Sequence, residues 1–153
     1  MNLKATLSPD DLARACADVM WKDDDASSGL GMTIVDVGAG RATLSMTVQP
    51  HMVNGQRIAH GGFIFTLADS AFAFACNSHN EKAVAAQGDI TFIRPGKLGD
   101  RLTATAREIS RSGRSGIYDV RVTVGDEVIA EFRGHSRTIG GAWLPMGETD
   151  RKK

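Results

Sequence analysis

One carboxylate in this chain stands where folding alone gives it no reason to be. Residues 61–76 read G-G-F-I-F-T-L-A-D-S-A-F-A-F-A-C, an apolar run whose single charge is Asp69. The run is too long for a typical strand and apolar on nearly every side, which describes a helix enclosed by the rest of the protein. In the middle of such a helix Asp69 caps nothing and interrupts an apolar face. Burying an unpaired carboxylate is costly, and partial burial raises its pKa. A carboxylate poised in this way can activate water or attack as a nucleophile.

The second chemical feature is His60-Gly61-Gly62 at the start of the same run. The first N–H groups of a helix have no internal partner, and the helix dipole favours negative charge there. Glycine lets a ligand approach the backbone closely. A carbonyl bound at Gly61 and Gly62 would be polarised and its developing oxyanion stabilised. Asp69 lies eight residues beyond Gly61, about 12 Å along a helix rising 1.5 Å per residue. One helix cannot easily bring both groups to one carbon, whereas two antiparallel helices from two subunits can. The expectation is a homodimer with two composite sites, the helix start of one subunit facing Asp69 of the other.

The surrounding pattern supplies the elements that position these groups. Ser8-Pro9-Asp10-Asp11 reads as a helix start, with Ser8 as N-cap and Pro9 at the first position, and predicts a helix over residues 9–20. Residues 23–29 read as a linker or short turn. Strands are predicted over residues 32–37 and 41–48, joined by Gly38-Ala39-Gly40. After the buried helix come strands over 84–93, 101–109, 117–124 and 128–137, several with clean apolar/polar alternation. The fold class is therefore α+β, a long central helix wrapped by a curved antiparallel sheet of about six strands. The sheet covers only part of that helix, and a second subunit is the natural cover for the rest.

Bulk properties exclude several classes. With 153 residues the chain is one domain, 1–153, and it is 42% hydrophobic and 24% charged. Lys plus Arg and Asp plus Glu balance at 18 each, so no net charge draws it to nucleic acid or acidic membranes. The apolar run is short for a membrane span and carries Asp69. Two cysteines, Cys16 and Cys76, are too few for a disulfide framework and read as reduced thiols. Without a signal-peptide pattern at the start, a cytoplasmic location is expected. No HExxH, paired CxxC or phosphate-binding loop is present, and four scattered histidines give no metal site. The tail over residues 142–153 is expected to be disordered.

The stretch H-M-V-N-G-Q-R-I-A-H-G-G-F-I-F-T-L-A-D-S-A-F-A-F-A-C-N, residues 51–77, together with the order of elements, resembles the hotdog-fold acyl-coenzyme A thioesterases. Within them it is most similar to the phenylacetate-degradation thioesterases. His60-Gly61-Gly62 followed by Leu67-Ala68-Asp69 is that family's marker. Phe92-Ile93-Arg94-Pro95-Gly96, Gly116-Ile117-Tyr118-Asp119-Val120 and Phe132-Arg133-Gly134 also match family positions. The resemblance implies hydrolysis of an acyl-coenzyme A thioester, with phenylacetyl or hydroxyphenylacetyl as the acyl group. It implies no cofactor beyond the coenzyme A of the substrate, and a tetramer built from two dimers. Asp69 and Gly61 would be catalytic, with Asn54 and His60 helping to hold the substrate or Asp69. Gly62, Gln87 and Arg94 would contact the substrate. The family places a hydroxyl near Ala86-Gln87; neither residue is one here, which leaves Gln87 as the polar contact.

Other readings of the same residues carry weight. Asp69 could be a structural charge paired with an arginine such as Arg94. Residues 111–115, R-S-G-R-S, could be a plain solvated hairpin; the functional alternative is that Gly113, Arg114 and Ser115 clamp coenzyme A phosphates. Cys76 is better read as core than as a nucleophile. Two different functions compete with hydrolysis on this fold: a hydratase or dehydratase acting on enoyl thioesters, and a non-catalytic acyl-coenzyme A binding module.

Overall fold

The computed structural model describes residues 7–145. It opens with helix α1, Pro9–Lys22, capped by the Ser8 side chain, whose oxygen accepts the Asp11 N–H at 3.1 Å. Asp10, in the first turn, accepts hydrogen bonds from the Ala39 N–H at 2.8 Å and from Arg41 Nη1 at 3.1 Å. These bonds hold their carboxyl below its ordinary pKa and fasten α1 to the turn between the first two strands. The segment read as a linker instead contains a short helix, α2, Asp25–Gly29. The cause is Asp24: one carboxylate oxygen accepts the Ser27 N–H at 3.0 Å and the other accepts the Ser27 hydroxyl at 2.7 Å. A run of three aspartates looks like solvated loop until one of them caps a turn.

Six strands follow the predicted order around the long helix: β1, Thr33–Gly38; β2, Arg41–Thr47; then α3, Gly61–Cys76; then β3, Ala83–Phe92; β4, Arg101–Ser112; β5, Ser115–Val124; and β6, Glu127–Thr138. They form one sheet in the order β1-β2-β4-β5-β6-β3, antiparallel at every junction. β4 and β5 run longer than their alternation suggested, because the ladder continues past a bulge between Glu108 and Ser110 to Ser112↔Ser115. A bulge breaks the two-residue rhythm without ending the strand.

The concave face of the sheet closes on α3. Leu44 and Met46 from β2, Leu102, Ala104 and Ala106 from β4, Tyr118, Val120 and Val122 from β5, and Ala130 and Phe132 from β6 are buried there. They meet Ile64, Leu67, Ala68, Ala71, Phe72, Phe74 and Ala75 of the helix. Gly134 on β6 is required by this packing, since a Cβ there would lie 2.8 Å from the Phe72 ring. Glu108 ties down the far end of α3. It accepts the Tyr118 hydroxyl at 2.8 Å and lies 2.8 Å from His79 Nε2. Trp143 is also held there, donating its ring N–H to Asn77 Oδ1 and its backbone N–H to Asn80 Oδ1, each at 3.0 Å. The tail expected to be disordered from residue 142 is thus ordered through Leu144, whose N–H also binds Asn80. Residues 146–153 lie outside the described residues.

Two surfaces are left uncovered. β3 is an edge strand, with most of its residues exposed along its length. On α3, Gly62, Thr66, Asp69 and Ala73 form a stripe that the sheet does not fully bury, at the three-and-four spacing of one helix face. Among the described residues no helix is long and apolar enough to cross a membrane.

Candidate active site

The chain enters α3 through a tightly tied loop. The His60 N–H donates to the Met52 carbonyl at 2.7 Å, and the Ala59 N–H donates to the Gly96 carbonyl at 2.8 Å. Asn54 shapes this loop: its Oδ1 accepts the Gln56 N–H at 3.0 Å and the Ile58 N–H at 3.4 Å. These bonds hold an Asx-type turn that carries Arg57 at a positive φ of 63°. Asn54 therefore positions the loop that leads into the helix, and its Nδ2 makes no hydrogen bond to a described residue.

His60 is the N-cap of α3. Its Nδ1 accepts the Gly62 N–H at 2.9 Å, so in the neutral ring the proton sits on Nε2. The Phe63 N–H is taken by the His60 carbonyl at 3.0 Å. The Gly61 N–H alone, of these first three, has no partner among the described residues. Gly61 was expected to be catalytic and Gly62 to contact the substrate; the Gly62 amide is engaged by the imidazole, whereas the Gly61 amide is open among the described residues.

Asp69 lies two turns further on, partly buried on the open stripe of α3. It has no hydrogen-bond or ion-pair partner among the described residues, and burial pushes its carboxyl above the ordinary value. The structural alternative for Asp69 fails within the protomer, since Arg94 pairs with Glu127 at 3.1 Å. Ser70, its sequence neighbour, is turned away and bonds Ser27 Oγ at 2.8 Å. Cys76 is buried and its thiol is pushed up to about 12, which leaves it protonated and inert.

Helix rise keeps Asp69 about 12 Å from Gly61 within one protomer. The remaining candidates are spread along the same axis. Gln87 is exposed on β3, just past a bulge at Ala86. Gly113, with φ of 58°, turns the β4–β5 hairpin, which lies beside Cys76 at the far end of α3. Arg114 does not present a free fork there. Its Nε and Nη2 donate to the Thr138 carbonyl at 3.2 and 2.9 Å, pinning the hairpin to the end of β6. Three of its five N–H donors remain for a ligand. Among the described residues no group of three or more His, Cys, Asp or Glu side chains converges as a metal site would require.

Two aromatic residues stand beside the helix start. Phe63 is flanked edge-on by His51 and His60, with ring centroids 6.2 and 6.0 Å away. The tip of the Phe92 ring rests against Gly61, where a Cβ would lie 2.8 Å from Cζ. A phenylalanine near the end of an alternating strand reads as core, and only the register of β3 on β6 carries it to the helix entrance.

Residues 56–131 match the family model described as "Thioesterase superfamily". The chain is 44% identical over 126 residues to the acyl-coenzyme A thioesterase PaaI of Escherichia coli K12, spanning 82% of this chain and 90% of that protein. The solved structure of the E. coli PaaI protein from the phenylacetic acid degradation operon superimposes with a TM-score of 0.87 at 41% identity, over 88% of this chain and 99% of that one. The structure of smu.793 from Streptococcus mutans UA159 bound to acetyl CoA superimposes at 0.70 with 28% identity, over 72% of this chain and 90% of that one. The wrapped central helix agrees with this sequence and structural kinship, and the chain belongs to the thioesterase superfamily, with its hotdog fold.

Proposed function

We propose that this chain hydrolyses acyl-coenzyme A thioesters carrying an aromatic acyl group, in composite sites between two copies of itself. The observation that carries the reading is the pair of unsatisfied groups on α3: the free Gly61 N–H at its start and the unpartnered, partly buried Asp69 carboxylate. Neither can serve the other within one helix. A second copy docked antiparallel along the β3 edge would set two α3 helices side by side and pair the start of each with Asp69 of the other. The exposed edge strand supports this, because an uncovered row of backbone donors and acceptors invites another strand.

In such a site the substrate carbonyl oxygen accepts the Gly61 N–H of one copy. Asp69 of the other copy takes a proton from water as the water oxygen attacks the acyl carbon. The tetrahedral oxyanion stays on the Gly61 amide. It collapses with loss of the C–S bond, and the coenzyme A thiolate takes up the proton, leaving the free acid. The alternative course has Asp69 attack the acyl carbon itself, breaking the C–S bond and expelling the coenzyme A thiolate, which leaves an anhydride that water then opens to the free acid and the Asp69 carboxylate. Single-turnover hydrolysis in heavy-oxygen water detects the anhydride that water opens at the Asp69 carbon, since that course alone places solvent oxygen in Asp69. Either course needs water and no cofactor beyond the coenzyme A of the substrate.

The aromatic acyl group is suggested by the likeness to the E. coli protein of the phenylacetic acid degradation operon. Arg114, Gly113 and Ser115 would receive coenzyme A phosphates at the surface, and Gln87 and Arg94 would line the approach. A pairing of two such dimers is the expected assembly in a cytoplasmic enzyme of this kind. The test is Asp69→Asn, assayed on phenylacetyl-, acetyl- and crotonyl-coenzyme A for both thiol release and hydration. Loss of thiol release by orders of magnitude in a folded dimer supports the reading. Hydration of crotonyl-coenzyme A without thiol release would replace it with the hydratase function, and binding without turnover in the parent chain would replace it with the non-catalytic module.

A further inference from the structure

Phe92 is a large apolar side chain left half in water beside the one free amide of the helix entrance. Along β3, Gly88, Ile90 and Phe92 share the face turned to α3. A Cβ at residue 88 would crowd the Phe132 ring at 3.1 Å, and Ile90 packs against the core. Phe92 is the next step in that row, level with the start of α3, and the tip of its ring meets Gly61. A Cβ on Gly61 would stand 2.8 Å from Cζ and 3.2 Å from Cε1 and Cε2. Half of the residue remains in solvent, with 50% of its surface exposed. A large apolar ring half exposed beside the amide that would hold the carbonyl stands where the apolar part of a ligand can cover it.

We propose that Phe92 is the wall of the acyl pocket, a substrate-positioning residue that selects acyl groups large and apolar enough to cover its exposed side. This rests on the thioester-hydrolysis reading above. A carbonyl oxygen held by the Gly61 N–H has its acyl carbon within a few ångströms of the Phe92 ring, since the ring tip touches the same residue. A bulky apolar acyl group then leaves water on that ring, and an acetyl group does not reach across it. Phe92 also explains why residue 61 has no side chain: the space a Cβ would take is occupied by the ring.

The experiment compares Phe92→Ala and Phe92→Leu with the parent chain in kcat and KM on acetyl- and phenylacetyl-coenzyme A. Dimer mass and unfolding temperature are followed in the same preparations. The expected result is a fall of about tenfold in the ratio of phenylacetyl to acetyl kcat/KM for Phe92→Ala, the scale on which a missing apolar contact discriminates substrates. Phe92→Leu recovers part of the ratio, and both variants keep the parent's mass. A side chain that only packed the fold would lower both substrates together and leave the ratio unmoved. A ratio within twofold of the parent overturns the wall and spares the hydrolase. Dissociation of Phe92→Ala to monomers also overturns it, by assigning the ring to the contact between copies. A parent chain inert to both thioesters overturns the hydrolase reading and the wall with it.

Discussion

Replacing Gly61 by alanine separates what this position does for folding from what it does for chemistry. In the first turn of a helix alanine is favoured over glycine by up to about 1 kcal/mol. Against this, the new Cβ would sit 2.8 Å from Phe92 Cζ, closer than side-chain carbons tolerate. The obstacle is the far end of a ring that is half exposed, and it can swing toward solvent. The two effects roughly cancel, and Gly61→Ala should unfold within about 1 kcal/mol of the parent. Its activity should not survive so well, because the displaced ring and the new methyl both crowd the Gly61 amide, which has no partner among the described residues. Loss of an oxyanion donor costs about 10²–10³ in kcat, and Gly61→Ala is expected to approach that. The assay is release of coenzyme A thiol from acetyl-coenzyme A, where the Phe92 wall matters least, with thermal unfolding in parallel. If the ring is the obstacle, Gly61→Ala with Phe92→Ala regains at least tenfold over Gly61→Ala alone, a coupling of about 1.4 kcal/mol. Full activity in Gly61→Ala, or a double variant no better than the single, would refute the reasoning.

The acid limb of kcat/KM should report Asp69: burial raises its pKa, so activity falls below a midpoint above the ordinary 3.8, and a pH-rate profile measures it. Burial pushes the Glu108 carboxyl up, but the Tyr118 and His79 hydrogen bonds outweigh it and hold it below its ordinary value of 4.5. Its stabilisation is therefore present above that value and fades as pH falls through the lower folded-state value. Tyr118→Phe should cost about 1 kcal/mol at neutral pH and shift the acid-unfolding midpoint upward, both read by denaturant titration at several pH values. Arg114→Ala should free the β4–β5 hairpin from Thr138 and raise KM for acyl-coenzyme A, with less effect on a truncated thioester lacking the nucleotide. An equal rise for both substrates would deny Arg114 a phosphate.

Much of this architecture is legible in the sequence because burial imposes a rhythm. Alternation in residues 117–124 and 128–137 specifies β5 and β6, and the unbroken apolar run specifies α3 as the enclosed helix. Features set by a single side-chain hydrogen bond were not legible. α2 exists because Asp24 caps Ser27, and the start of the tail is fixed because Trp143 finds Asn77 and Asn80. At the site, Asp69 and Gly61 stand out from residue type and position alone. The His60 imidazole taking the Gly62 amide, the Arg114 fork closed on Thr138 and the Phe92 ring on Gly61 depend on how distant strands come together. No local pattern encodes them.

The central claim is that each site takes Asp69 from one copy and the Gly61 amide from another, and subunit mixing tests it most directly. Asp69→Asn removes the carboxylate. Gly61→Pro removes the N–H while suiting the first helical position, since His60 before it is already extended at φ −64° and ψ 130°. Each variant alone should be inactive. When the two are unfolded together and refolded, random pairing makes half the dimers mixed, and each mixed dimer rebuilds one of its two sites, so about a quarter of parent activity should return. Mixtures that stay as inactive as their components, with mixed dimers verified by mass, would contradict the account.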